Sequence, residues 1–266
     1  PSILVIGGAG FIGSHLCRTL LKKNCFVYCL DKLIGDKKEN VKEIFDKRNF
    51  HFVKANYDKP LKNLKSLDFD YIFHLEGVDE DAWGTSDFLE LAKKQRAKFL
   101  LLSSFLQSQS RESAEDLTSK YFSRFNLNAR IVRPLDVYGQ GMPLQITDDL
   151  TFLFTNLKDK TTFKVSGDGS KILYPLFITD AIHGLLKAMF SQGSKGKIYS
   201  LAGKETSILE FVNILKKESK RTLGIEFSSR KKEKKDPLKK RTVTETKKQL
   251  NWRPKVSFKE GVKKTL

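Results

Sequence analysis

Ile3-Leu4-Val5-Ile6-Gly7-Gly8-Ala9-Gly10-Phe11-Ile12-Gly13-Ser14-His15-Leu16 is the stretch on which the fold turns. Its first four residues are apolar and read as a short buried strand. The glycines that follow suit a tight turn, because a residue without Cβ tolerates left-handed backbone and close approach. From Ile12 to Leu21 the apolar spacing is helical. A helix opening straight from a glycine turn presents unpaired N–H groups and the positive end of its dipole, which suits a phosphate. Gly7, Gly10, Phe11, Ile12 and Gly13 are therefore the expected pyrophosphate cradle, with Gly13 letting the helix close on the strand. Asp31 follows the next apolar run, Phe26–Leu30, at the distance expected of an acid that holds a ribose 2′-hydroxyl. A carboxylate there repels a 2′-phosphate, so NAD is expected rather than NADP. Lys32, Lys37 and Lys38 soften that preference.

Outward from this stretch, short apolar runs alternate with helical patterns. Ile3–Ile6, Phe26–Leu30, Phe50–Val53, Tyr71–Leu75, Phe99–Leu102 and Ala129–Val132 read as strands. Ile12–Leu21, Phe88–Lys94 and Ala114–Phe125 read as the helices between them. The alternation predicts the α/β class, a Rossmann-type doubly wound parallel sheet. After Arg133-Pro134 the pattern changes. Helices are expected near Ile146–Leu157, Thr179–Phe190, Ser207–Lys217 and Thr244–Leu250, mixed with short strands. Ser207-Ile208-Leu209-Glu210 and Ser257-Phe258-Lys259-Glu260 both fit a capping box. The expected division is a dinucleotide-binding domain over residues 1–134 and a smaller C-terminal α/β substrate lobe over 135–266. Some strands and helices of the second region are expected to return to the first.

The 266 residues carry a formal net charge of +18. Lysine far outnumbers arginine and is spread throughout the sequence. The one dense run, Arg230-Lys231-Lys232-Glu233-Lys234-Lys235, lacks interleaved aromatics. The charge reads as a solvated basic surface, and nucleic acid is not the expected partner. Three cysteines (Cys17, Cys25, Cys29) and four scattered histidines exclude a disulfide framework and give no metal-ligand spacing. No metal is expected, and a cytoplasmic location is. No apolar run reaches the roughly 20 residues a membrane span needs, and Ile3–Ile6 is too short for a signal peptide.

The spacing Gly7-x-x-Gly10-x-x-Gly13 resembles that of the extended short-chain dehydrogenase/reductase family. Its members are NAD-dependent epimerases, dehydratases and decarboxylases of sugar nucleotides. The resemblance continues through Leu30–Gly35, Phe73-His74-Leu75, Gly84–Glu90, Arg133–Gly139, Gly167–Ser170 and Phe177–Asp180. The tail, Asp236–Arg241, Leu250–Val256 and Glu260-Gly261, looks most like UDP-glucuronate decarboxylases and nearby epimerases. It implies NAD as cofactor, a UDP-sugar as ligand, and a homodimer through helices such as Ala114–Phe125. In the cofactor site it adds Asn56 near the adenine, Leu75 and Arg111. In the substrate lobe it adds Asp136, at a position where Asn is usual, and Lys240 and Arg241, which keep positive charge in the tail. Leu173 stands where a diphosphate-binding Arg is common, and Glu76 where a small residue sits beside the cofactor.

The family's chemistry uses a Tyr-x-x-x-Lys pair and a Ser or Thr. Ser104 fits the Ser/Thr position. Counting back without gaps from Arg133-Pro134 puts Gln107 at the Tyr position and Arg111 at the Lys position. Glutamine cannot act as a general base near neutral pH. Arg111 could keep the charge and the ribose contact, although Arg and Lys are not interchangeable at a tight site. Tyr121 is on the wrong part of its helix, and Asp87, Glu112 and Tyr138 are neighbouring alternatives for a base. Three readings follow. The first is an NAD-binding, nucleotide-sugar-modifying protein of the decarboxylase or 4-epimerase type. The second is a binder without turnover, acting as partner or sensor. The third, an RNA-binding relative, is supported by charge alone.

Overall fold

The structure is a computed structural model. It describes all residues except 33–34, 56–58, 60, 65, 76–83, 105–108, 144–149, 152, 156–161, 166, 221–223 and 228–236. The side chains at 35–38, 109–112, 163–164 and 237–238 are also outside the description. The protein divides into two compact units. One is Pro1–Pro134 with Ile182–Tyr199, the other Leu135–Ala181 with Ser200–Leu266.

The first unit is built on β1 (Ser2–Ile6), β2 (Phe26–Asp31), β3 (Phe50–Lys54), β4 (Tyr71–His74), β5 (Lys98–Leu102) and β6 (Ala129–Pro134). A seventh strand, Ile198–Leu201, completes the sheet in the order Ile198–Leu201, β6, β5, β4, β1, β2, β3. The pairings from β3 through to β6 are all parallel. β1 lies centrally, with Ile3 opposite both Val27 and Tyr71. A strand paired and covered on both sides is apolar without alternation, and Ile3, Leu4, Val5 and Ile6 are all buried. The helices α1 (Phe11–Leu21), α2 (Thr85–Gln95) and α3 (Gln109–Phe125) connect these strands. Leu4, Ile6, Ile72, Phe88, Leu89, Phe99, Leu101 and Ile131 belong to one core cluster. This is the Rossmann-type sheet that the alternating pattern predicts.

α3 starts at Gln109, a turn or more before the expected Ala114. Its opening residues, Gln109-Ser110-Arg111-Glu112-Ser113, are polar and carry no apolar period to read. Its register on the sheet is fixed by a two-pronged ion pair. Arg133 Nε donates to Glu115 Oε1 at 2.8 Å, and Arg133 Nη2 donates to Glu115 Oε2. The helix α4 (Ile178–Phe190) leads back into this unit. There the buried Arg130 donates to the carbonyls of Phe99 (3.1 Å) and Asn128 (2.9 Å) and to the Asn128 side chain. Burial pushes the Arg130 pKa down to about 10.

The second unit holds α5 (Ile208–Ser219), α6 (Pro237–Gln249) and α7 (Phe258–Thr265). The capping serines behave as their spacing predicts. Ser207 accepts from Glu210 N–H at 3.1 Å, and Ser257 from Glu260 N–H at 3.2 Å. α6 begins at Pro237, well before the expected Thr244. Proline at the first helical position is pre-set for the helix and forfeits no hydrogen bond there. The core is an aromatic cluster in which the Tyr138 ring packs against Phe154, Phe177 and Phe258 at 5.5–5.6 Å. The helix expected at Ile146–Leu157 falls largely outside the described residues.

Candidate functional site

The glycine loop has the geometry its sequence calls for. Gly7 leaves β1 at φ 74°. Its N–H donates to Leu30 C=O at 2.8 Å, and its own C=O accepts from Gly10 N–H at 3.1 Å. A Cβ on Gly13 would lie 2.1 Å from the Gly7 oxygen and 2.7 Å from the Gly8 Cα, so only glycine fits. A Cβ on Gly8 would lie 2.6 Å from Cys29 Sγ and 3.3 Å from Cys17 Sγ. The thiols thus fill the space beneath the loop. Gly10 is the N-cap of α1; this end has no side-chain cap, and no acid lies in the first turn. The opening N–H groups of α1, at Phe11, Ile12 and Gly13, therefore face no competing side-chain cap. That is a site for an anion.

Asp31 is fully buried at the end of β2. Its Oδ2 accepts from Ala9 N–H at 2.9 Å, so the acid supports the loop from below. A second support lies on a residue that sequence reasoning missed. Asn40 Nδ2 donates to Ala9 C=O at 3.0 Å. The Asn40 backbone oxygen accepts from Arg18 Nη2 at 2.5 Å, and Arg18 Nε lies 3.6 Å from Glu43. Asn40 and Ala9 are 31 positions apart. Asn40 sits in a polar 3-10 segment, Gly35–Ile44, so no local pattern marks it.

The other cofactor candidates divide between described and undescribed residues. Lys32 and Leu75 are half-buried, and Leu75 N–H donates to Ile6 C=O at 3.0 Å. Asn56, Glu76 and Gln107 lie outside the described residues. Arg111 has its backbone in the first turn of α3, one turn before Glu115, while its side chain is outside the description, as is that of Glu112. Ser104 is half-buried just past β5. Its neighbour Ser103 is buried, with a hydroxyl that meets no hydrogen-bond partner among the described residues.

Tyr121 and Tyr138 are committed elsewhere. Tyr121 donates to Glu90 Oε1 at 2.6 Å and ties α3 to α2. The hydrogen bonds from Lys93 and Tyr121 hold the Glu90 carboxyl below its ordinary value, and burial and Glu90 push Tyr121 up. Tyr138, a sequence-level alternative for the base, is overturned in that role. It is fully buried, its hydroxyl donates to Phe258 C=O at 3.3 Å, and a Cβ on Gly261 would lie 2.0 Å from the Tyr138 hydroxyl oxygen. Burial first, then Asp180 and Glu260, drive its pKa far above the ordinary tyrosine value. A base needs the opposite shift. Asp87 is exposed in the first turn of α2.

In the second unit, Asp136 adopts φ 44°, a left-handed conformation that Asn and Asp tolerate better than most residues. Its Oδ2 accepts from Tyr174 N–H at 2.5 Å, and its C=O from Leu176 N–H at 3.0 Å. This backbone demand alone favours a short polar side chain at the position. Lys240 and Arg241 lie on α6. Lys240 is 3.6 Å from Glu205, and Arg241 donates to Glu245 at 2.9 Å. Both cations are largely exposed. Leu173 is buried. Among the described residues no group of His, Cys, Asp and Glu could hold a metal ion, and no helix is long and apolar enough to cross a membrane.

A mostly parallel seven-stranded sheet, a glycine turn between its central strand and first helix, and a buried acid ending the adjacent strand define a Rossmann-type protein. Residues 3–111 match the sequence profile of the NAD dependent epimerase/dehydratase family. Over that span the chain is similar to this family, and along its whole length it has the fold of epimerase and dehydratase structures. UDP-glucuronic acid decarboxylase 2 of Arabidopsis thaliana is 27% identical over 98% of this chain. The chain spans 66% of that relative's length. dTDP-D-glucose 4,6-dehydratase of Bos taurus is 25% identical over 99% of this chain and 87% of its own. Among solved structures, UDP-glucuronic acid 4-epimerase from Bacillus cereus, in complex with UDP-glucuronic acid and NAD, superposes with a TM-score of 0.79. It shares 24% identity and covers 100% of this chain and 98% of its own.

Proposed function

We propose that this protein binds NAD in the Gly7–Gly13 loop, takes a nucleotide sugar as its second ligand, and modifies it as decarboxylases and 4-epimerases do. The observation that carries this reading is the loop itself. Gly13 leaves no room for even one carbon, the start of α1 carries no side-chain cap, and Asp31 is buried against the loop. When bound, NAD would supply a hydride acceptor. Gly7, Gly10, Phe11, Ile12, Gly13, Asp31, Lys32 and Leu75 would hold it, joined by Asn56 and Arg111. Asp136, Lys240 and Arg241 are the proposed contributions to nucleotide-sugar binding. The names of the plant, bovine and bacterial relatives support a UDP- or dTDP-linked sugar.

A second reading, binding without turnover, rests on one specific observation. Tyr121 and Tyr138 both have their hydroxyls committed, and Gln107 stands where the family resemblance puts the base. Ser104 is the proposed catalytic hydroxyl if turnover occurs. Denaturing the purified protein and assaying the supernatant for NAD tests the first claim. Incubation with UDP-glucuronate and with UDP-glucose, following nicotinamide absorbance and product, tests the second. Bound NAD with conversion of either sugar supports the enzyme. Bound NAD with no conversion of any nucleotide sugar leaves the binder, and failure to bind NAD removes both.

A further inference from the structure

We propose that Asn40 is a positioning residue for the dinucleotide loop, setting the affinity of the site by fixing the Ala9–Gly10 peptide. The proposal rests on the NAD reading above. Ala9 is fully buried at the middle of the loop. Its N–H donates to Asp31 Oδ2 at 2.9 Å, and its C=O accepts from Asn40 Nδ2 at 3.0 Å. The N–H of the next residue, Gly10, is taken by Gly7 C=O at 3.1 Å. The Ala9–Gly10 peptide plane is thus held at both its oxygen and its hydrogen.

The need for such bonds follows from the sequence. Gly8 and Gly10 flank Ala9, and glycine torsions have few steric limits. Hydrogen bonds must supply the order that side chains do not. Gly10 C=O in turn accepts from Ser14 N–H at 2.9 Å, the first bond of α1. Rotating the Ala9–Gly10 plane would therefore re-aim the opening N–H groups of the helix. Donors fixed in advance bind an anion without an ordering cost at the moment of binding.

Asn40 is itself anchored. Its backbone carbonyl accepts from Arg18 Nη2 at 2.5 Å, and Arg18 stands in the last turn of α1, the helix the loop opens. Loop, helix and the Gly35–Ile44 segment close a ring. The chemistry demands a donor at position 40. A carboxylate there would set two acceptors against the Ala9 oxygen.

The test titrates NAD into the full-length protein by calorimetry at about pH 7.5 and about pH 5, values that bracket the region where a carboxylate facing an acceptor regains its proton. Asn40→Ala is expected to bind NAD about tenfold more weakly, the cost of leaving a buried carbonyl unpaired. Asn40→Asp, equal in size, is expected to be at least as weak at the higher pH. It should recover most of the deficit, relative to the unaltered protein, at the lower pH, because a protonated carboxyl donates again. Arg18, Glu43 and Asp31, the charged groups of the ring, are common to every variant, so the comparison cancels their own titration. Melting temperatures confirm that all three proteins are folded. Variants that bind within about twofold of the unaltered protein, or an Asn40→Asp deficit equal at both pH values, overturn the positioning role alone. A folded, unaltered protein that binds no NAD overturns the functional reading and this inference together.

Discussion

Gly13 carries the tightest constraint in the loop, since even a methyl group would sit 2.1 Å from a backbone oxygen. Gly13→Ala is expected to abolish detectable NAD binding and to lower stability by about 1–3 kcal/mol, the usual cost of forcing volume into a packed site. Calorimetry and urea unfolding read the two effects separately. Asp31→Asn keeps an acceptor for Ala9 N–H but removes the negative charge. It is expected to weaken NAD binding by about tenfold, as loss of a charge-assisted hydrogen bond does, and to narrow the gap to NADP. Tyr138 makes a different prediction. Its pKa is raised on folding, so its contribution to stability is complete below the ordinary tyrosine value of about 10 and is lost as pH climbs toward the raised one. Melting temperature should fall on the alkaline side, and Tyr138→Phe should flatten that fall. At this scale the sequence was readable wherever a residue type had one physical use, as with the glycines of the loop. Asn40 was not readable, because its partner is set by tertiary packing 31 positions away.

Among the elements, α3 shows best how a helix is placed by something other than its apolar stripe. The paired hydrogen bonds between Arg133 and Glu115 lock it to β6. Glu115→Ala is expected to cost about 2 kcal/mol, in the range of hydrogen bonds to charged groups, measured as a shift in the urea midpoint with an unchanged slope. Ser207→Ala and Ser257→Ala should each cost about 1 kcal/mol as lost N-caps, and nearly additively because they cap different helices. Both caps were legible as four-residue spacings. The true starts of α3 and α6 were not, because polar opening turns carry no periodic signal and only tertiary contacts decide whether they wind up.

Taken whole, the molecule is a basic protein, with +18 spread over lysines along the sequence rather than gathered in one run. Diffuse charge of this kind binds polyanions only through counterion release. Retention on a phosphate or heparin matrix at low salt is expected to vanish by about 0.15 M salt, where the screening length falls to about 8 Å. Retention beyond that would restore the nucleic-acid reading. The alternation of strands and helices made the parallel sheet legible from β1 to β6. The identity of its seventh strand was not legible, because Ile198–Leu201 follows a long excursion of the polypeptide into the other unit. That excursion has a consequence during biosynthesis. When β6 has left the ribosome, its outer edge has no partner, and some 60 further residues must be made before Ile198–Leu201 can cover it. At roughly 5–20 residues per second the nascent sheet stays open-edged for several seconds. The ribosome-bound polypeptide is thus most exposed to mispairing after its nucleotide loop has been built, and a chaperone that shields strand edges would find its client in that window.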